Sequence, residues 1–299
     1  MASVEVHCVV KANALVGEGP VWEDLDRSLL FVDICGQKIH RWDPNTDQVQ
    51  SMDTGDQVGF AVPRSSGGYV AGVRRNIVAV DWSSQTMTPL VEVDEDKPNN
   101  RLNDGKVDPF GRLLTGTMGL EVRPAEVERH QGSLYSVAPD LTVTKHLDQV
   151  DISNGMDWSS DHRTFFYIDS LARSIDAFDY EPTSGLVGNR RVVYHMEGGE
   201  GLPDGMAVDV KGRLWVACYN GGRVINIDPA VGVRLQTVFL PVKKTTSCCF
   251  GGPDYGDLYV TSASLGLNQS ERREQPLAGN VFRVTGLEVK GRPAHSFSG

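Results

Sequence analysis

The chain has 299 residues and carries 29 Lys and Arg against 39 Asp and Glu, a net charge of −10. Its cations are scattered among carboxylates, so it offers no electrostatic footprint for nucleic acid or anionic lipid. No stretch approaches the roughly 20 apolar residues of a membrane helix, and the amino terminus, MASVEVHCVVKANAL, has no basic region or unbroken apolar run of a signal peptide.

The first predicted element is the strand VEVHCVV (4–10), which belongs to no unit of its own. After it comes GPVWEDLDRSLLFVD (19–33) with GQKIHRWDP (36–44), two apolar strands around a polar turn and then a third closing on Asp-Pro. FAVPRSSGGYVAGVRRNIVAVDW (60–82) repeats the plan more weakly. The run Asp94-Glu95-Asp96, before Pro98 and Asn99, has the opening of an EF-hand loop but neither its Gly nor its bidentate Glu, and it reads as a solvated acidic loop.

KVDPFGRLLTGTM (106–118) with GSLYSVAPD (132–140) is the third copy and MDWSSDHRTFFYIDSLARSIDAFDY (156–180) the fourth. AVDVKGRLWVACYNGGRVINIDP (207–229) is the fifth, and CCFGGPDYGDLYVTSAS (248–264) with GNVFRVTG (279–286) the sixth. Roughly six units of about 40 to 50 residues are the spacing of propeller blades, whereas a β-sandwich would have to produce the similarity by coincidence. The expectation is all-β: one six-bladed β-propeller domain over residues 1–299, closed by pairing of VEVHCVV with the last blade, whose fourth strand is missing.

The five cysteines are odd in number, and adjacent Cys248 and Cys249 could bridge only with strain, so reduced thiols in a cytoplasmic monomer are expected. Asn268-Gln269-Ser270 is then a chance glycosylation match, and His130 and His162 sit in polar turns as surface residues. No nucleophile elbow, dinucleotide fingerprint or paired zinc-protease histidines are present.

Equivalent positions of different blades converge on the central channel. Just ahead of the first strand in four units stand Glu18, Asn103, Asn154 and Asp204, three of them followed directly by Gly. Two carboxylates and two amides at one mouth call for a cation between them, and an all-oxygen set suits Ca²⁺, Mg²⁺ or Mn²⁺, with Zn²⁺ possible through the carboxylates. The alternative is that Asn-Gly and Asp-Gly are ordinary hairpin turns.

At GEGPVWE, LLFVDI, NNRLNDGKVDP, DISNGMDWS, PDGMAVD, LWVACYNGGRV and KTTSCCFGG, the chain resembles the regucalcin family, also called senescence marker protein and related to gluconolactonases. The resemblance runs end to end. It implies a six-bladed propeller with one divalent ion in the channel, lactonase activity toward aldonolactones such as gluconolactone, and a calcium-binding role. It places metal ligands at Glu18, Asn154 and Asp204 and substrate contacts at Arg101, Asn103 and Glu121. Gly19 and Gly119-Leu120 depart from some relatives, which bears on substrate preference.

The chemistry expected is attack of water on a metal-polarised lactone, with Asp204 as general base and Arg101, Asn103 and Glu121 holding the sugar. For Arg101 the alternative is a surface salt bridge. Two rival functions use the same fold: a calcium-buffering or regulatory protein in which hydrolysis is incidental, and a scaffold for protein partners, for which no specific feature exists.

Overall fold

A computed structural model describes residues 3–299. Six four-stranded antiparallel sheets are arranged as blades, and their innermost strands are Gly17–Glu23, Val58–Pro63, Arg101–Val107, Ser153–Trp158, Leu202–Val208 and Thr245–Gly251. Each blade is consecutive in the chain except the sixth. There the amino-terminal strand Glu5–Val10 pairs antiparallel with Val281–Thr285, placing Val6 opposite Val284 and Cys8 opposite Phe282. The first and last segments thus close the ring, as the orphan strand in the sequence predicts, with Glu5–Val10 as the outermost strand of blade 6 covering the edge of Val281–Thr285.

Apolar residues of neighbouring blades meet face to face. Leu30, Val32 and Ile39 of blade 1 pack on Ala61, Ala71 and Val78 of blade 2, and Trp215 and Val224 of blade 5 on Phe250 and Val260 of blade 6. All five cysteines are free, including the adjacent pair Cys248 and Cys249.

Every innermost strand carries one extra residue relative to its neighbour. The register slips between Glu18 and Val21, Val58 and Phe60, Leu102 and Gly105, Ser153 and Met156, Pro203 and Met206, and Thr245 and Cys248. A bulge of this kind re-aims a side chain that regular pairing would send into the blade interface. Glu18, Asn103, Asn154 and Asp204 therefore lie within or beside these bulges, inside the innermost strands rather than ahead of them.

The glycines after Asn154 and Asp204 are not turn residues either. A Cβ on Gly155 would lie 2.5 Å from the Asp204 carbonyl oxygen, and one on Gly205 would overlap the Ser247 side chain, so each permits the next blade's backbone to approach.

Asp94 corrects the reading of residues 94–99 as a solvated acidic loop. Glu95 and Asp96 are exposed, but Asp94 is buried and accepts hydrogen bonds from Asn100 Nδ2 (2.6 Å), Thr117 Oγ1 (2.6 Å) and the Tyr135 hydroxyl. It ties the entry of blade 3 to that blade's second and third strands. Asn268, in turn, caps the short helix Gln269–Glu274, its side chain accepting from Ser270 N and Glu271 N.

Candidate metal centre and substrate pocket

The bulges of blades 1, 3, 4 and 5 bring Glu18, Asn103, Asn154 and Asp204 to one mouth of the channel, around a cavity of about 60 Å³ that Arg101, Tyr219 and Thr246 also line. Glu18, Arg101, Asn103, Asn154 and Asp204 are each at most 7 % exposed. Their partners divide them into two groups.

Asn103 and Arg101 are satisfied by each other and by backbone. Arg101 Nη1 donates to Asn103 Oδ1 (2.7 Å) and to the Leu102 carbonyl (3.1 Å), while Asn103 Nδ2 donates to the Ser153 carbonyl (2.7 Å). Arg101 Nη2 stands 3.6 Å from Glu121 Oε2. Glu121 comes from a small hairpin, Glu121–Arg123 with Glu126–Val127, and its Oε1 accepts from Ala125 N (2.9 Å), which stiffens the hairpin tip.

The other group is not satisfied. Asn154 Nδ2 donates to Ser170 Oγ (2.9 Å), which itself donates to the Pro203 carbonyl, so the amide is fixed with its oxygen turned away from Ser170. That Asn154 Oδ1 is buried without a hydrogen-bond partner, and so is Asp204 Oδ1. Burial pushes the Glu18 carboxyl up to about 8, with the Asp104 carboxylate adding to the rise. Asp204 is raised well above the ordinary aspartate range by burial, by Glu18 and by Asp104. Two carboxyl groups in contact away from water can both ionise only if a cation offsets their repulsion.

The set fits a divalent ion. Two orphaned oxygens and two electrostatically stressed carboxyls converge, all hard oxygen donors of the kind Ca²⁺, Mg²⁺ and Mn²⁺ accept. Among the described residues no group of three His, Cys, Asp or Glu is placed to hold a metal, so a third donor at this mouth would have to be an amide such as that of Asn154. A larger cavity of about 90 Å³ at the opposite mouth is walled by Trp22, Pro63, Lys106, Asp157, Phe250 and Arg292; there Lys106 already pairs with Asp157 at 2.7 Å.

Residues 16–264 match the family described as the SMP-30/gluconolactonase/LRE-like region. The chain belongs to this family. Regucalcin of Xenopus laevis is 54 % identical over 299 residues, the whole of both chains. Among solved structures, a luciferin-regenerating enzyme is similar at 34 % identity and a TM-score of 0.93, covering 99 % of this chain and 100 % of that one. A calcium-binding regucalcin of Agrobacterium tumefaciens is similar at 27 % identity and a TM-score of 0.90, covering 97 % and 96 %.

Within this SMP-30/gluconolactonase-like propeller, all six residues singled out in the sequence gather at one mouth, Glu121 through its approach to Arg101. The residues that sequence reasoning missed are Ser170, which orients Asn154; Asp104, which raises the Glu18 and Asp204 carboxyls; and Tyr219 and Thr246, which complete the cavity wall. Thr246 was within reach, since it holds the bulge position of blade 6 in KTTSCCFGG. Tyr219 ends the second strand of blade 5, where the repeat pattern predicts only a strand end.

Proposed function

We propose that this chain, acting as one domain over residues 1–299, is a divalent-metal-dependent lactonase that hydrolyses sugar lactones such as gluconolactone. One ion would be held by Glu18, Asn154 and Asp204. The observation that carries the reading is the pair of buried, partnerless oxygens, Asn154 Oδ1 and Asp204 Oδ1, beside a Glu18 whose ionisation is opposed by burial. When bound, the ion supplies positive charge that polarises a lactone carbonyl and acidifies water at the site.

The chain's own residues would do the rest. Asp204 takes the proton from the attacking water, and after the ring C–O bond breaks it returns that proton to the departing alkoxide oxygen, so the lactone and one water become a hydroxy acid. Arg101 and Asn103, locked to each other at 2.7 Å, present guanidinium and amide N–H groups to the sugar's oxygens, and Glu121 accepts from its hydroxyls. The near-complete burial of Arg101 and Asn103 means that little of their side-chain freedom remains to be lost when substrate binds.

A calcium-binding regulatory role is the second reading, favoured by the all-oxygen donor set and by the calcium-binding regucalcin among the similar structures. Lactone hydrolysis assayed after chelation and stepwise return of Ca²⁺, Mg²⁺, Mn²⁺ and Zn²⁺, with the Ca²⁺ affinity measured alongside, separates the two. Activity restored by several metals that bind weakly supports the enzyme. Tight Ca²⁺ binding near cytosolic concentrations without turnover supports the regulator.

A further inference from the structure

Lys244 stands where blade 5 passes into blade 6. It is only 8 % exposed, yet among the described residues it forms no ion pair. Its ammonium donates to the Leu265 carbonyl and lies 5.6 Å from the centroid of the Tyr219 ring, which walls the front cavity. An ammonium this buried, attracted by Glu271 and Glu121 only from beyond ion-pair distance, costs stability, so its position calls for a reason other than folding.

The next residue along supplies it. Gly266 has a left-handed backbone (φ +76°), and a Cβ there would sit 3.2 Å from Pro124 Cγ and 3.4 Å from Lys244 Nζ. Pro124 is the tip of the Glu121–Val127 hairpin, which leaves blade 3 and reaches across the mouth to blade 6. Beside it, Ala125 lines the cavity and donates its N–H to Glu121. A continuous contact therefore runs from Lys244 through Leu265 and Gly266 to Pro124, Ala125, Glu121 and Arg101.

We propose that Lys244 and the Leu265–Gly266 loop form a seat for the hairpin tip, and that Lys244 is a positioning residue that sets selectivity for hydroxylated lactones by fixing Glu121. The inference rests on the lactonase reading, and only Glu121, which faces the sugar's hydroxyls, transmits the effect.

The test compares Lys244→Met, which keeps the stem but removes the donor, with Lys244→Gln, which keeps an N–H for Leu265. For Lys244→Met we expect KM for gluconolactone to rise about five- to tenfold with kcat within about twofold, while δ-valerolactone, which has no hydroxyls, changes less than about twofold. Lys244→Gln should recover most of the KM. In a Glu121→Gln background, adding Lys244→Met should have no further effect. An equal loss on both lactones, additive effects with Glu121→Gln, or an unchanged KM would overturn the proposal.

Amide hydrogen exchange of residues 121–127 gives a readout independent of turnover. It should quicken in Lys244→Met and not in Lys244→Gln. If the unaltered protein hydrolyses no lactone under any metal, the lactonase reading fails while the exchange result still decides whether the seat exists; unchanged exchange refutes it.

Discussion

Removing the ion proposed for Glu18, Asn154 and Asp204 should make the fold sensitive to pH. Glu18 is fully buried beside Asp204 and has its carboxyl pushed from an ordinary value near 4.5 up to about 8. A carboxyl raised on folding stabilises the fold only while it is protonated. The contribution is complete below pH 4.5, fades as pH rises and is gone above about 8. That interval corresponds to roughly 5 kcal/mol at ~1.4 kcal/mol per tenfold. Between pH 5 and 8.5 about 4 kcal/mol of this is lost, and a chain of this length unfolds with an entropy of about 0.6 kcal/mol per kelvin, so the metal-free protein should lose about 6 °C of Tm over that range. With saturating Ca²⁺ both carboxylates are neutralised, and the slope should flatten. Differential scanning calorimetry of chelated and reloaded protein measures both curves, and Glu18→Gln should remove at least half of the metal-free slope. A metal-free Tm that stays level over this range, or a Glu18→Gln slope equal to that of the parent, would refute the argument that charge repulsion shapes this site.

Three further outcomes are expected. Asp204→Asn keeps an oxygen ligand but no basicity, so it should bind metal at raised concentration yet lose most of its kcat, whereas Asn154→Ala should mainly weaken metal binding; full turnover of Asp204→Asn at saturating metal would reduce Asp204 to a ligand. Deleting residues 3–10 strips the strand that closes blade 6, and the whole thermal transition should move down by more than about 5 °C instead of a minor early phase appearing. Asp94→Ala leaves the buried donors of Asn100, Thr117 and Tyr135 without their acceptor, so urea denaturation should show a loss of about 2 to 4 kcal/mol with the metal affinity unchanged.

The propeller was legible because its units repeat, and Glu18, Asn154 and Asp204 because a repeat places equivalent residues at equivalent heights on the channel. The bulge was not legible: no residue type marks it, and Asn-Gly and Asp-Gly look the same in a turn and in a strand pressed against its neighbour. Asp94 was misread for a related reason. Its exposed companions Glu95 and Asp96 dominate the local pattern, whereas the groups that bury it, Thr117 and Tyr135, lie 23 and 41 residues away in the chain. Lys244 belongs with it, since its contact with the hairpin exists only once blade 3 reaches across the ring to blade 6.

The six bulges separate what makes this protein stable from what makes it reactive. The residues they present in blades 1, 3, 4, 5 and 6 line the channel mouth, whereas the interfaces between blades are built mainly from other positions on the same strands. A handful of substitutions at that one level could exchange the donors at the mouth while the packed blades stay as they are. For design, the bulge level of blades 1, 3, 4, 5 and 6 is a set of addressable sites on an otherwise fixed frame. Thr246 of blade 6, which lines the cavity but supplies none of the proposed ligands or sugar contacts, is the place where a new donor could be written in first.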